Sequence, residues 1–336
     1  MIDGYGKFVG KRGNQIVVKL KGKIIDYFLA EDLDQVIITG KGAIGFDALN
    51  LLAENGVDLI ILNWKGEVSS RLSFPELRTV STRREQYLAY NDHRSGYLSK
   101  QFVFAKIKNQ YAILGTLAKA RAENNPRLSE KLVRSREKIS KLLSKIQKIE
   151  EKPIDFIRNE LTGLEGNASS IYWNSIINII DPDLGFSGRS GRRAKDGVNA
   201  MLNYGYGILM GEVWRAVYYA GLDPYGGFLH VDRPGRPSLV LDLMEEFRQQ
   251  IVDKVVFKLI NKRMVKREDF SLQENFCRLS DKSRKLLISK ILEKFESYIR
   301  VKNIRIKWSD LIIKQARQIA KFLREEDEYN GFFLRW

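Results

Sequence analysis

Cysteine, histidine and proline are all scarce in this 336-residue chain: one, two and seven respectively. The lone Cys277 excludes an internal disulfide and any cysteine-built zinc site. No apolar run is long enough to span a bilayer, and no lone basic amphipathic tail stands out. The opening "MIDGYGKFVGKRGNQ" has no apolar signal-peptide core, so a cytoplasmic protein without a targeting segment is expected. What is plentiful is positive charge. Lys and Arg number 57 against 41 Asp and Glu, a formal excess of +16. Such a field attracts polyanions, nucleic acid first and a membrane surface only weakly. A hydrophobic fraction of 44% supports a real core, and the length suits one large domain or two ordinary ones.

The pattern changes along the chain. "KFVGKRG", "QIVVKL", "KIIDYFL" and "QVIITG" are short β-branched runs, with a hairpin turn near Gly22. "AIGFDALNLLAENG" reads as a helix ended by Gly56, and "VDLIILNW" and "EVSSRLS" as strands around a turn at Lys65–Gly66. This β-rich part ends near Pro75, with "RLSFPELRTVSTRR" as linker. From Arg83 onward the periodicity is helical. Residues 127–152 form a basic helix with Leu128, Leu132, Ile139, Leu142, Leu143, Ile146 and Ile149 as its apolar stripe. A helical stretch broken or bent at Gly163 and Gly166 follows, then the Gly-rich loop "GFSGRSGRR", then a helix apolar nearly all round, which predicts burial. Helices are expected again over 239–260, Ser283–Val301 and Asp310–Arg324.

Three motifs bear on chemistry. Gly40, Gly42 and Gly45 fit the dinucleotide pattern G-x-G-x-x-G, but Asp58 starts the next strand instead of ending it, and the β-rich part is too small for a doubly wound sheet. They read as a turn. The basic helix 127–152 is either a phosphate-binding or a solvated face. In the Gly-rich loop, Arg189, Arg192 and Arg193 are candidate phosphate donors.

The rare His230 precedes "RPGRP", whose prolines fix a turn that leads into an apolar run carrying Asp242, Glu245 and Glu246. On one continuous helix these three acids share an arc, while Leu243, Met244, Phe247 and Ile251 face the core. Clustered acids serve a DNA-attracting protein if a cation lies between them and the phosphates. Histidine with carboxylates is a ligand set for Mn²⁺ or Mg²⁺. A further acid is needed. Glu165 qualifies, because it lies among Leu164, Ala168, Ile171 and Tyr172, where an acid is costly unless paired. Glu160, beside Arg158, is a poorer choice, and His93 reads as a surface or capping residue.

These pieces in this order resemble the CRISPR-associated spacer-acquisition endonuclease/integrase family. "RREQYLAYND" and "AKIKNQ" look like the start of the family's helical domain. "LEGNASSIYW" looks like its first acidic motif, and "DGVNAMLNYGYGIL" like its buried central helix. "GLDPYGGFLHVDRPGRPSLVLDLMEEFR" is the most specific piece, followed by "IVDKVVFKLINK". The tail "REEDEYNGFFLRW" is also similar, with "YNGF" where a Pro before the Phe is more usual. The resemblance implies an α+β multidomain chain: a small N-terminal β-sandwich for dimerisation (1–78) and a larger C-terminal all-α catalytic domain (79–336). It implies a Mg²⁺ or Mn²⁺ held by Glu165, His230 and Glu245, with Asp242 as the adjacent acid. Some members have Asp where Glu245 stands. It further implies homodimers, assembly with a small ferredoxin-like CRISPR-associated partner, and attack of a DNA 3′-hydroxyl on a repeat phosphodiester. Arg233, Arg236 and Arg248 would then clamp the scissile phosphate, and Arg192 and Arg193 the flanking strand. A non-catalytic nucleic-acid-binding scaffold accounts for the charge equally well, but leaves Glu165, His230 and Glu245 unexplained.

Overall fold

A computed structural model describes every residue except 34, 64, 65, 67, 73–79, 192, 274, 275, 302, 335 and 336. Half of the expected linker (73–79), Lys65 of the expected turn and Arg192 of the Gly-rich loop therefore lie outside the described residues. The chain divides into two compact units, Met1–Leu77 and Arg78–Trp336.

The first unit carries β1 (Ile2–Asp3), β2 (Lys7–Arg12), β3 (Gln15–Leu20), β4 (Lys23–Leu29), β5 (Gln35–Thr39), β6 (Gly42–Ile44), α1 (Phe46–Glu54), β7 (Asp58–Leu62) and β8 (Val68–Leu72). They form two four-stranded sheets, ordered β4-β3-β2-β6 and β1-β5-β7-β8. The alternating apolar residues of both sheets meet in one core. Val9, Ile16 and Val18 come from the first, Ile2, Val36 and Leu59 from the second, and Leu51 and Leu52 from α1. The β3–β4 hairpin turns on Lys21 and Gly22, both at positive φ (50° and 80°), as a two-residue primed turn requires. β4 is exposed along its whole length, including Ile24, Ile25, Tyr27, Phe28 and Leu29.

The glycine motif has a steric origin. A Cβ on Gly40 would lie 1.8 Å from the Gly4 carbonyl oxygen, and one on Gly42 would lie 2.1 Å from that of Lys7. These glycines let backbones pass closely, with Gly42 in the parallel pairing of β6 with β2.

The second unit is mostly helical: α2 (Val80–Leu88), α3 (His93–Lys119), α4 (Pro126–Gln147), α5 (Ile154–Ile177), α6 (Gly197–Tyr219), α7 (Ser238–Met244), α8 (Lys254–Asn261), α9 (Asp281–Glu296) and α10 (Trp308–Leu323). Polar caps set several starts. The side chains of Asp92, Asn125, Asp196 and Ser280 accept from Arg94, Leu128, Asn199 and Ser283 backbone N–H groups. His93, next to its capping neighbour Asp92, is exposed. The basic helix α4 buries Leu132, Ile139, Leu142, Leu143 and Ile146 of its stripe, and α6 is buried nearly all round. α3 packs on α4 and α5, and α10 on α6.

Four expectations need correction. α5 runs unbroken through Gly163 and Gly166, where a Cβ would meet nothing within 4 Å. The second unit is helical but not all-α: β9 (Phe270–Gln273) pairs with β10 (Phe276–Leu279), and β11 (Tyr298–Val301) with β12 (Ile304–Lys307). The helix expected to Val301 thus ends at Glu296. The stretch 239–260 is not one helix: α7 stops at Met244, a turn follows, and a π-helical turn at Gln249–Asp253 leads into α8. Among the described residues, no helix is long and apolar enough to cross a membrane.

Candidate active site

Asp242, fully buried on α7, organises the loop before it. Its Oδ2 accepts the backbone N–H groups of Phe228 (2.7 Å) and Leu229 (3.0 Å), and its Oδ1 accepts that of His230 (3.0 Å). The same Oδ1 lies 2.6 Å from His230 Nδ1. With Nδ1–H on the carboxylate, Nε2 keeps its lone pair and is left for a further ligand. From the other side, Arg158 of α5 donates to the carbonyls of Leu229 (3.2 Å) and Phe228 (3.1 Å) and to the Tyr90 hydroxyl (3.0 Å). The loop is thus held through its N–H groups by a carboxylate and through its carbonyls by a guanidinium.

Gly227 lets this loop lie on the start of α7, since a Cβ there would sit 2.5 Å from Ser238 and 2.7 Å from Leu239 N. Gly227→Ala is expected to cost about 2 kcal/mol of stability, read from the urea midpoint. An unchanged midpoint would show that the loop yields freely.

The other two candidate ligands converge on a lysine. Lys106 Nζ of α3 lies 2.5 Å from Glu165 Oε1 of α5 and 2.6 Å from Glu245 Oε2 just after α7. Ser169, one turn beyond Glu165, donates to the same Glu165 oxygen (3.2 Å), and Gln110 donates to Ser169 (3.2 Å). Glu245 Oε1 is 3.1 Å from Arg248 Nε. Burial works against charge on Glu245, but Arg248 and then Lys106 outweigh it and hold the carboxyl down at about 2. The two carboxylates likewise outweigh burial at Lys106 and keep its ammonium charged.

The break after α7 changes the roles of the acid cluster. Asp242, Glu245 and Glu246 do not share one arc. Glu246 points away to the C-terminal tail, where it accepts from the Tyr329 hydroxyl, from Gln315 Nε2 (3.0 Å) and from Phe332 N–H (2.8 Å). Burial pushes it up to about 7. Leu243, Met244, Phe247 and Ile251 do face the core, and Glu160 is exposed.

The arginines divide. Arg193 and Arg233 are exposed and Arg236 is half-buried. Arg233 and Arg236 line an open groove with Tyr87, Tyr225, Asp232 and Pro234. Arg189 and Arg248, expected on phosphates, face inward. Arg189 donates to Asn199 Oδ1 (2.9 Å) and Asn203 Oδ1 (2.6 Å), tying the Gly-rich loop to α6. Arg248 pairs with Glu245 and lies 4.7 Å from the Tyr206 ring centroid. Two amide oxygens engage Arg189, and an ion pair and an aromatic face engage Arg248.

Does this donor set suit a divalent cation? Two carboxylates from separate elements already surround one cationic point, and Asp242 orients the imidazole Nδ1 on the loop before α7. Glu245 Oε2 is buried without a hydrogen bond of its own, because its contact with Lys106 is an ion pair out of hydrogen-bond alignment. The set fits a hard cation. Among the described residues, no three of His, Cys, Asp and Glu are yet gathered as a formed cluster, and the Lys106 ammonium stands between the carboxylates. Lys106 and Arg158 were not singled out from the sequence. The missed signal for Lys106 was a lone cation among Phe102, Val103, Ala105 and Ile107, all buried.

A strand-rich unit ahead of a helical one defines a two-unit α+β protein, in which Glu165 and Glu245 pair on Lys106 and Asp242 holds His230. The family model "CRISPR associated protein Cas1" matches residues 1–293, and the chain belongs to that family. A CRISPR-associated endonuclease Cas1 of Archaeoglobus fulgidus is 47% identical over 342 residues, covering 100% of this chain and 99% of the relative. A casposase bound to its integration product has a TM-score of 0.84 at 25% identity, covering 98% of this chain and 91% of that one. A chain of a Cas6-RT-Cas1–Cas2 complex shares the fold, with a TM-score of 0.80 at 20% identity over 98% of this chain and 36% of that one.

Proposed function

We propose that this chain is a metal-dependent DNA endonuclease/integrase that inserts new spacer DNA into CRISPR arrays, as part of prokaryotic antiviral defence. The observation that carries the reading is the convergence of Glu165 and Glu245 on one cationic point, supported by the orientation of His230 by Asp242. The net charge of +16 and the likeness to a casposase bound to its integration product support DNA as substrate.

Glu165, His230 and Glu245 would hold Mg²⁺ or Mn²⁺. Once bound, that ion would supply Lewis-acid stabilisation of charge on phosphodiester oxygens. Asp242 is a positioning residue: it fixes the His230 tautomer and the loop that carries it. Arg233 and Arg236, on the turn after His230, receive the phosphate to be attacked, and Arg193 the flanking strand. Arg248 steers Glu245 and Arg189 anchors its loop, so neither meets DNA directly. The chemistry is transesterification. The DNA 3′-hydroxyl oxygen bonds to the repeat phosphorus as the original P–O bond breaks, and the leaving 3′-oxygen takes a proton.

The first unit would serve self-association, for which the exposed apolar row of β4 is suited. A small ferredoxin-like CRISPR-associated protein would complete the assembly, in keeping with the Cas1–Cas2 complex among the structural neighbours.

The test incubates the full-length protein with a splayed-end duplex and a supercoiled repeat plasmid, with Mn²⁺ or Mg²⁺. Covalent joining is expected, lost in Glu165→Ala, in His230→Ala and with chelator, while DNA binding persists. Metal-dependent nicking without joining would keep the site and make the partner necessary. Binding without nicking or joining, indifferent to metal and to both variants, would put the non-catalytic scaffold in its place.

A further inference from the structure

We propose that Lys106 is a built-in stand-in cation: it holds Glu165 and Glu245 together in the metal-free protein and must leave before a divalent ion can bind. This inference rests on the metal reading of the site given above.

Two carboxylates brought together from α5 and from the end of α7 repel each other unless a cation separates them. Lys106 supplies that cation, at 2.5 and 2.6 Å, with a side chain only 13% exposed. A permanent structural lysine and a displaceable one would differ in what remains when the ammonium departs. Here each carboxylate keeps a second tether. Glu245 Oε1 stays ion-paired with Arg248 at 3.1 Å, though not hydrogen-bonded, and Glu165 stays on Ser169 at 3.2 Å, with Gln110 behind it. The oxygen that Lys106 would release, Glu245 Oε2, has no hydrogen bond holding it. A lysine is also the right chemistry for a temporary occupant. Its ammonium is a compact point charge on a flexible four-carbon stem, whereas an arginine fork would lock onto carboxylates bidentately. The geometry therefore describes a pre-assembled site plugged by a removable charge, and metal uptake becomes an exchange of one cation for another.

The exchange makes Lys106 a competitor of the metal. Deleting its charge should tighten metal binding and, without metal, leave two carboxylates facing each other. The test uses the full-length protein and Mn²⁺ alone, with free Mn²⁺ counted by electron paramagnetic resonance. Lys106→Met is expected to lower the Kd for Mn²⁺ at least about tenfold, and Lys106→Arg is expected not to. In EDTA, Lys106→Met should melt below wild type, and Mn²⁺ should narrow the gap. A variant that folds only with Mn²⁺ would support the exchange equally.

A second measurement needs no variant. Labelling of Lys106 by an amine-reactive reagent, read by peptide mass spectrometry, should rise several-fold when Mn²⁺ is added to wild type. If wild type binds Mn²⁺ but Lys106→Met binds it no tighter, or Lys106 labelling does not rise, the exchange is overturned and the metal site stands. Binding by Lys106→Met alone would support the exchange in its strongest form. If neither wild type nor Lys106→Met binds Mn²⁺, the exchange and the metal reading fall together.

Discussion

Asp242→Ala is expected to destabilise the protein by roughly 3–5 kcal/mol, read from chemical denaturation. The alanine would leave the N–H groups of Phe228, Leu229 and His230 without their acceptor, in a place that water does not reach. Asp242→Asn separates this structural role from the chemical one. Its single carbonyl oxygen can still serve Phe228 and Leu229. Its amide then faces His230, leaves the His230 backbone N–H without an acceptor and donates to Nδ1, so the ring proton moves to Nε2, the nitrogen needed as a ligand. The expected result is a smaller stability loss together with a DNA-joining rate lower by about 10²-fold. An Asn variant with wild-type joining would show that the tautomer is not what Asp242 fixes.

Glu246→Ala should cost about 3 kcal/mol, although Glu246 lies outside the proposed chemistry. Tyr329, Gln315 and Phe332 all donate to it, so the alanine leaves three donors unanswered and releases the tail. Limited proteolysis should then cut near residue 329. The same group sets a pH dependence. Burial raises Glu246 from the ordinary 4.5 to about 7 in the folded protein. The folded state therefore binds the proton more tightly than the unfolded state. The resulting stabilisation is full below about 4.5 and is lost as pH rises through about 7, on the order of 3 kcal/mol in all. Asp253, pushed by burial to about 6 between the hydroxyls of Tyr172 and Tyr206, acts with the same sign. Glu246→Gln keeps a carbonyl for Gln315 and Phe332 and offers an amide N–H to the Tyr329 oxygen. Urea midpoints between pH 5 and 8 should therefore fall less steeply in Glu246→Gln than in wild type. Equal slopes would remove Glu246 as the source.

Much of the site was legible because its residues are out of place chemically. Glu165 stands in an apolar helical stretch, and His230 and Asp242 bracket a proline-fixed turn. Such residues stand out against a solvated background; the structure links Glu165 to Glu245 through Lys106, and His230 to Asp242. Lys106 is equally out of place, but a lysine on a basic chain reads as surface, and its long stem hides the burial of its head. Glu246 was misplaced for a different reason. Helical spacing assigns faces only while the helix continues, and in the turn after Met244 Glu246 faces the C-terminal tail, although Phe247 and Ile251 keep their core face. The two hairpins of the helical unit escaped because four-residue strands are shorter than the window in which periodicity declares itself. The inward turn of Arg189 depends on Asn199 and Asn203 of α6, and that of Arg248 on Tyr206 of α6 as well as its neighbour Glu245, so neither could be read fully from local sequence.

The tail has a consequence for the order in which the protein is completed. Asn109, one turn along α3 from Lys106, donates to the carbonyls of Glu246 (2.8 Å) and Phe332 (3.1 Å), and its own carbonyl accepts from Leu334 N–H (3.1 Å). Synthesis runs from the N-terminus, so Tyr329 and Phe332 leave the ribosome after every helix named here. Until they dock, Glu246 lacks its tyrosine and its backbone donor, and the helix that carries Lys106 is unclamped on that side. α4 and α5 can hold α3 early, but the Asn109 side of that helix is braced only when Phe332 and Leu334 have been made. The tail is thus a late-made brace for a helix and a buried acid that are made long before it.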